Sequence, residues 1–412
     1  MKVVNLSESQ FDHFAINHKY RNYYQSSMYG NLIKKFGYKI QYIGIINDNN
    51  KLIGATLIMY KEVFMKNRIG YAPRGILFNY DNIENIPEMV EVLKKSLSKQ
   101  SYMLLRMDPY IPASIRNYQG EILNLNNKVD EIAETLVSQG FEYKGKTVNF
   151  EGEKPRWESI VLLNNDIRIL FESFDKRTRN KIRRASSLGI EVKKDETKNL
   201  KYLYNFIRTK DNKPLAYYEE LLKTFGNDTE IYYATINTET FIINARRTYE
   251  KEMEQNNNLQ EIIQDPTIGE KTRNDYLNRK MESDSLLQIY KNNMILSTKL
   301  LKQYPNGIPI AGALIIKYDN AAYEFIEGVD DRYKQLNASY LLKWKLIEDY
   351  NYQKLKYLNL NGVVGDFQNK SKFSGLNEMK LGFNSTVIEY IGEFDLTINK
   401  FTLNLYKNLN KK

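Results

Sequence analysis

Two distant stretches of this chain read alike, and together they constrain its fold more than any other feature. Ile53-Gly54-Ala55-Thr56-Leu57-Ile58-Met59-Tyr60 and Ala311-Gly312-Ala313-Leu314-Ile315-Ile316-Lys317-Tyr318 each enter on small residues after a turn, continue as an apolar run and close on tyrosine. Such a run between turn residues is a buried strand. The match predicts two copies of one strand-rich domain; the alternative is coincidence between two apolar strands. At 412 residues the chain is long enough for two or three domains with cores of their own.

Around the first copy, Ile40–Ile46 and Leu52–Val63 predict strands joined by the turn Asn47-Asp48-Asn49-Asn50. The run from Asn22 to Lys35 predicts a loop leading into a helix capped by Ser26 or Ser27. Ile86–Gln100 predicts a helix, and Tyr102–Arg106 a buried strand ending at Asp108-Pro109. Gly70-Tyr71-Ala72-Pro73-Arg74-Gly75 holds too many breakers for a strand or helix and predicts a loop. Farther on, Tyr217–Phe225 and Ala338–Tyr350 predict helices, and Ile231–Ile236, Lys356–Leu360 and Val387–Ile391 predict strands. Ile310–Lys317 and Tyr323–Ile326 predict a hairpin across Asp319-Asn320. The class is α/β or α+β. Between these elements, Thr240 to Tyr304 has no strand signal and few breakers apart from Asp265-Pro266 and Gly269. It predicts two long helices joined near 264–271, either a protruding antiparallel arm or two helices lying on a core.

Asp166 to Lys194 is the most distinctive single stretch. Ile167, Leu170, Phe171, Phe174, Thr178, Ile182 and Ala185 form one buried helical face, with Asp166 capping the start and Asp175 a second cap that can divide it in two. Gly189 ends the helix and Ile190-Glu191-Val192 reads as a strand. The opposite face carries Lys176, Arg177, Arg179, Lys181, Arg183 and Arg184 with no acid. Like charges at that density destabilise a helix. They make either a solvated face or a phosphate-binding ridge.

A net charge of +10 favours polyanionic partners. The absence of cysteine excludes disulfides, a thiol nucleophile and Cys-based zinc sites. His13 and His18 alone leave little room for histidine-based metal or triad chemistry. With no apolar run long enough for a signal peptide or a membrane span, a soluble, cytoplasmic protein is expected, with basic patches available for a membrane surface.

An ordered set of motifs then narrows the reading. It comprises Gly328-Val329-Asp330-Asp331-Arg332-Tyr333, Asn337 through Trp344, Gly362-Val363-Val364-Gly365, Gly375-Leu376 through Lys380-Leu381-Gly382-Phe383, and Ile391-Gly392-Glu393-Phe394-Asp395-Leu396. Gln25-Ser26, Tyr71-Ala72-Pro73-Arg74-Gly75, Arg106-Met107-Asp108-Pro109 and Lys176 through Gly189 precede them. In that order and spacing the chain resembles the FemABX family of peptidoglycan bridge-forming aminoacyltransferases. Two positions depart from the family pattern: Ile76 follows Pro73-Arg74-Gly75 where a second proline is usual, and Met379 replaces the aromatic before Lys380.

The resemblance implies two tandem GNAT-like (acyl-CoA N-acyltransferase) domains with a helical-hairpin arm inserted in the second. The corresponding division is residues 1–150, then 151–239 with 305–394, the arm at 240–304, and a C-terminal segment 395–412 packing back on the first domain. It implies transfer of glycine, serine or alanine from aminoacyl-tRNA to the stem-peptide amine of lipid II or a UDP-linked muropeptide. No cofactor or metal is expected. Peripheral contact with the inner membrane face and partnership with related family members are implied as well.

Residue by residue, the resemblance places Lys380 at the catalytic channel, where a cation stabilises an oxyanion or orients the ester. Asp108 is either a general base or a strand terminator paired with Arg106 or Arg74. Lys34, or Lys35 beside it, and Arg74 are candidates for the precursor's pyrophosphate. Arg106, Lys213, Tyr217 and Phe383 are further precursor-binding candidates, and Lys176, Arg179, Arg183 and Arg184 are candidates for the tRNA backbone. Three rival readings remain: an acetyl-CoA-dependent acetyltransferase, for which no Gly-rich phosphate cradle is evident, a non-catalytic tRNA-binding protein, and a family member acting on another acceptor.

Overall fold

The computed structural model describes residues 1–163, 166–368 and 371–409. The first half runs β1 (Lys2–Asn5), α1 (Glu8–Ile16), α2 (Ser27–Lys34), β2 (Lys39–Ile46), β3 (Leu52–Glu62), β4 (Arg68–Ala72) and β5 (Leu77–Phe78). It continues with α3 (Ile86–Lys99), β6 (Tyr102–Met107), β7 (Pro112–Arg116), β8 (Ile122–Leu125), α4 (Val129–Ser138) and β9 (Phe141–Tyr143). The second half begins β10 (Trp157–Leu162), α5 (Ile167–Ser173), α6 (Lys176–Ser187), β11 (Ile190–Lys194), α7 (Lys201–Ile207), α8 (Leu215–Phe225) and β12 (Thr229–Ile236). After the long helices α9 (Thr238–Gln264) and α10 (Glu270–Gln303) come β13 (Ile308–Tyr318), β14 (Ala321–Val329) and α11 (Ala338–Tyr352). The chain closes with β15 (Tyr357–Val363), α12 (Ser374–Leu381), β16 (Thr386–Tyr390), β17 (Phe394–Thr397) and α13 (Lys400–Leu409).

The strands form two mixed sheets, ordered β1-β2-β3-β4-β6-β17-β9 and β11-β12-β13-β14-β15-β10-β16-β7-β8, with β5 beside β3. In the first, β1 to β4 are antiparallel and β6 returns parallel to β4 behind α3. In the second, β11 to β14 are antiparallel and β15 returns parallel to β14 behind α11. The similar stretches occupy β3 and β13, each third from its edge, so the repeat seen in the sequence is a repeat of topology. Each sheet has the GNAT-like arrangement. The halves are also laced together, because β17 inserts between β6 and β9 while β7 and β8 extend the second sheet beyond β16.

Each sheet has its own apolar core, one around Ile58, Leu93 and Leu105, the other around Ile182, Ile315 and Leu346. A third core joins the halves, packing Phe11, Leu32 and Leu57 against Leu203, Leu221 and Leu314. The helices α9 and α10 form an antiparallel arm rooted in the second core through Phe241, Ala245 and Leu300. Within the arm a polar layer replaces apolar packing: Asn256 donates to Ser283 Oγ at 3.1 Å, and Ser283 donates to Glu252 at 2.6 Å.

One expectation is corrected. Gly70 to Ala72 are not loop but the end of β4, where Gly70 is needed for packing: a Cβ there would lie 2.9 Å from the Tyr102 ring and 3.0 Å from Ile58. Close strand packing overrides glycine's poor strand propensity. The breakers act one residue later, at Pro73 and at Arg74, whose φ is +52°. Among the described residues no helix is long and apolar enough to cross a membrane.

Candidate active site

A cleft of about 780 Å³ opens between the two halves. Tyr29, Ile33 and Phe36 form one wall, and Lys61, Arg106, Lys154 and Lys213 bring four cations to it. Arg106 is held by Asp395 at 2.8 Å and by Glu153 at 3.0 Å. Lys213 pairs with Asp211 at 3.1 Å beneath Tyr217, which is buried in the cleft wall. Lys154 sits 3.8 Å from the centre of the Tyr24 ring, a cation–π contact.

Behind the cleft the second sheet splits. Parallel pairing of β14 with β15 covers only Ala321–Tyr323 against Tyr357–Asn359. Beyond it four charged side chains gather: buried Glu324 of β14, Lys343 of α11 and Lys380 of α12, with partly buried Glu327 of β14 beside them. Lys343 donates to Glu324 at 2.8 Å and also to Glu327. Lys380, 7% exposed, donates to the Gly362 carbonyl at 2.8 Å. Glu324 and Asn361 line a narrow passage shared with Tyr24 and Lys154, and Asn361 and Lys154 also line the cleft. Burial pushes Lys380 down to about 8, against the pull of Glu324. Burial also raises Glu324 above the usual carboxylate range. It works against Lys343 too, but the two carboxylates more than compensate and hold that ammonium above the ordinary lysine value.

The basic ridge adjoins this lysine. Asp166 and Asp175 cap α5 and α6, accepting from Arg168 N at 2.8 Å and Thr178 N at 2.6 Å, and Gly189 has φ +80°. The Asp175 N–H in turn donates to the Gly382 carbonyl at 3.0 Å, fastening the cap of α6 to the end of α12. Gly382 admits no side chain, since a Cβ would stand 2.2 Å from Thr178 Oγ1 and 2.4 Å from Asp175 Oδ2. Glu378, two residues before Lys380, lies 3.5 Å from Lys181 and 3.9 Å from Arg177. Lys176, Arg183 and Arg184 remain exposed, and Arg179 folds back on the Glu172 carbonyl.

The model of the FemAB family matches residues 6–411. The chain belongs to the FemAB family. It is similar to a Staphylococcus epidermidis protein named aminoacyltransferase FemA, 28% identical over 441 residues covering 100% of this chain and 99% of the relative. The Staphylococcus aureus protein of the same name is 26% identical over 439 residues with the same coverage. A solved structure described as the crystal structure of FemX aligns with a TM-score of 0.71 across 98% of this chain and 99% of that one, at 18% identity. That likeness establishes a shared fold. Similar along its whole length to proteins named aminoacyltransferases, this FemAB chain is a transferase.

Within this FemAB protein the expected site residues divide. Arg106, Lys213 and Tyr217 line the cleft. Lys34 sits on the outer side of α2, bonded to Glu8 and Asn31 at 3.0 Å each, while its neighbours Ile33 and Phe36 face the cleft. Two expectations are corrected. Arg74 is not available to a substrate anion: its buried guanidinium lies 2.5 Å from Glu158 and 3.4 Å from Asp108, beside the stacked rings of Tyr110 and Tyr390. Phe383 is a core residue, packed against Phe174 and Tyr340 with ring centres 5.1 and 6.1 Å apart.

Asp108 belongs to the same internal network as Arg74. It is buried and accepts from Tyr71 Oη at 3.0 Å and Arg74 N at 2.8 Å, and burial raises it to about 6 despite Arg74. That is the strand-terminator arrangement, with Arg74 rather than Arg106 as partner. Tyr71, not Asp108, reaches the cleft.

Glu324, Glu158, Lys343 and Lys154 were not singled out from the sequence. The first three carried a signal: each is a charged residue inside an apolar strand or helix face, where an ion is stable only if paired. Lys154 carried none, lying in a polar linker.

Proposed function

We propose that this FemAB protein moves an amino acid (glycine, serine or alanine) from aminoacyl-tRNA to the stem-peptide amine of a peptidoglycan precursor, lipid II or its nucleotide-linked form, and so builds an interpeptide bridge. The observation that carries this reading is the position of Lys380. Its ammonium is bonded to the carbonyl of Gly362, the residue after Asn361 in the cleft lining, and two residues later Gly382 is tied to Asp175 at the start of the basic helix. Two anionic substrates meeting at one buried ammonium is the arrangement such a transfer requires.

The reaction asks for positioning more than covalent machinery, because the aminoacyl ester is already activated. The neutral acceptor amine attacks the ester carbonyl. The new C–N bond forms, charge collects on the carbonyl oxygen, the C–O bond to the ribose breaks, and the departing oxygen takes up the proton lost by nitrogen. Lys380 stabilises the oxyanion, and the low-dielectric pocket strengthens that contact. Lys343 and Glu324 act one step back, fixing the charge balance around Lys380. Lys154, Arg106 and Lys213 hold the precursor's anionic groups, and Lys176, Arg179, Arg183 and Arg184 hold the tRNA backbone. Asp108 and Arg74 brace the wall that carries Tyr71.

Incubation of the protein with a pool of tRNAs charged with labelled amino acids and either form of the precursor tests this reading. Label is expected on the precursor only when the tRNA is charged. Failure to transfer from any charged tRNA, or transfer from acetyl-CoA instead, would overturn it.

A further inference from the structure

The helix α13 turns an apolar face away from the protein. Leu403 anchors it inward, while Phe401, Leu405 and Leu409, each one turn from the next, are 73%, 39% and 57% exposed. Tyr406, on the flank, lines the cleft. The start of α13 is tied to the end of the first sheet, because Ile398 and Asn399 both donate to the Met103 carbonyl at 2.9 and 3.2 Å. There Tyr102 pairs with Arg68, the first residue of β4. The β3–β4 loop is therefore at the same end of the sheet as the start of α13, and in it Met65 is 76% exposed while Val63 lines the same cleft.

Exposed large apolar side chains are thus carried by two separate segments at one end of the sheet, and both segments also line the cleft. Cations surround them: Lys66, Lys99, Lys400 and Lys407 are exposed, and α13 contains no acid. Glu62 is neutralised by Lys39 at 2.6 Å and Arg68 at 3.8 Å. Outward apolar side chains with a basic surround are the pattern of a helix lying in a lipid–water interface. A second copy of the chain fits less well, since a symmetric contact would set these lysines against one another.

We propose that α13 and the Met65 loop dock this protein on an anionic lipid bilayer, with Phe401, Leu405, Leu409 and Met65 entering the interface and the lysines meeting acidic headgroups. The proposal rests on reading the cleft as the site of a membrane-borne acceptor, whose headgroup would then enter directly from the bilayer.

Flotation with phosphatidylcholine vesicles, with and without phosphatidylglycerol, tests it. The protein is expected to float with the anionic vesicles, and Phe401→Ser/Leu405→Ser/Leu409→Ser to bind them at least about tenfold more weakly. Met65→Ser, a single change on an exposed loop, is expected to weaken binding in the same direction without touching the helix. Leu405→Trp is expected to show tryptophan emission shifted to the blue on anionic vesicles. Activity on the soluble nucleotide-linked acceptor should be unchanged in all three variants. No binding by the unaltered protein, equal binding by the triple variant, or a dimer that the triple variant abolishes while vesicle binding persists would overturn the proposal. Vesicle binding without transfer to any acceptor would instead defeat the functional reading and leave the docking surface standing.

Discussion

Lys343 and Glu324 form an ion pair wholly inside the protein, the ammonium 2.8 Å from the carboxylate and without exposed surface. Glu327 shares the same ammonium. Two carboxylates and one lysine leave a negative imbalance, and Lys380, the fourth charge in the group, offsets it. The group is therefore a unit, and removing one member should be felt by the others.

Replacement of Lys343 by methionine is expected to destabilise the fold by roughly 3–5 kcal/mol, because buried Glu324 and partly buried Glu327 lose their partner. Adding Glu324→Gln and Glu327→Gln to that variant should restore most of the loss. Urea unfolding of the three proteins measures both effects.

Lys380 stands near 8 because burial disfavours its charge. A cation needed for the oxyanion is lost as pH rises through that value, whereas arginine keeps its charge. The ratio of wild-type to Lys380→Arg transfer rates should accordingly fall above pH 8, while titration of the acceptor amine, common to both, cancels. The stability effect has the opposite sense. A depressed lysine contributes stability at high pH that is lost as pH falls toward 8, so the melting temperature of Lys380→Met relative to wild type should fall as pH rises from 8 to 10.5.

Gly382→Ala should disturb the junction between α12 and α6 despite adding only a methyl group. Overpacking at this contact costs about 1–3 kcal/mol, and loss of the Asp175 cap about 1 kcal/mol more. Transfer should fall along with the melting temperature, since the same contact positions Lys380.

Neutralising Lys176, Arg179, Arg183 and Arg184 together should lower the slope of log affinity for tRNA against log salt by about 3. Filter binding across a salt series reads this directly. An unchanged slope would place the tRNA elsewhere.

Much of this was legible in the sequence because it follows from local rules. The caps Asp166 and Asp175 and the turn at Asp319 rest on residues close together in the chain, and the similarity of β3 to β13 is carried by two short contiguous runs. What stayed hidden depends on partners far away. The interchange of β17 and β7 between sheets, the capture of Arg74 by Glu158, and the burial of Phe383 against Phe174 are set by tertiary packing, to which periodicity is blind. Lys380 was named by its motif, but its surroundings were not: Glu324, Glu327 and Lys343 come from two other elements.

The central claim is that one buried ammonium serves the transfer between two bound substrates. Its most direct test is the rate at which labelled amino acid passes from charged tRNA to the precursor, with wild type and Lys380→Ala compared at saturating substrates. A fall of about 100- to 1000-fold in turnover, with tRNA and precursor affinities nearly unchanged, is the predicted result. Equal turnover by the two proteins would contradict it.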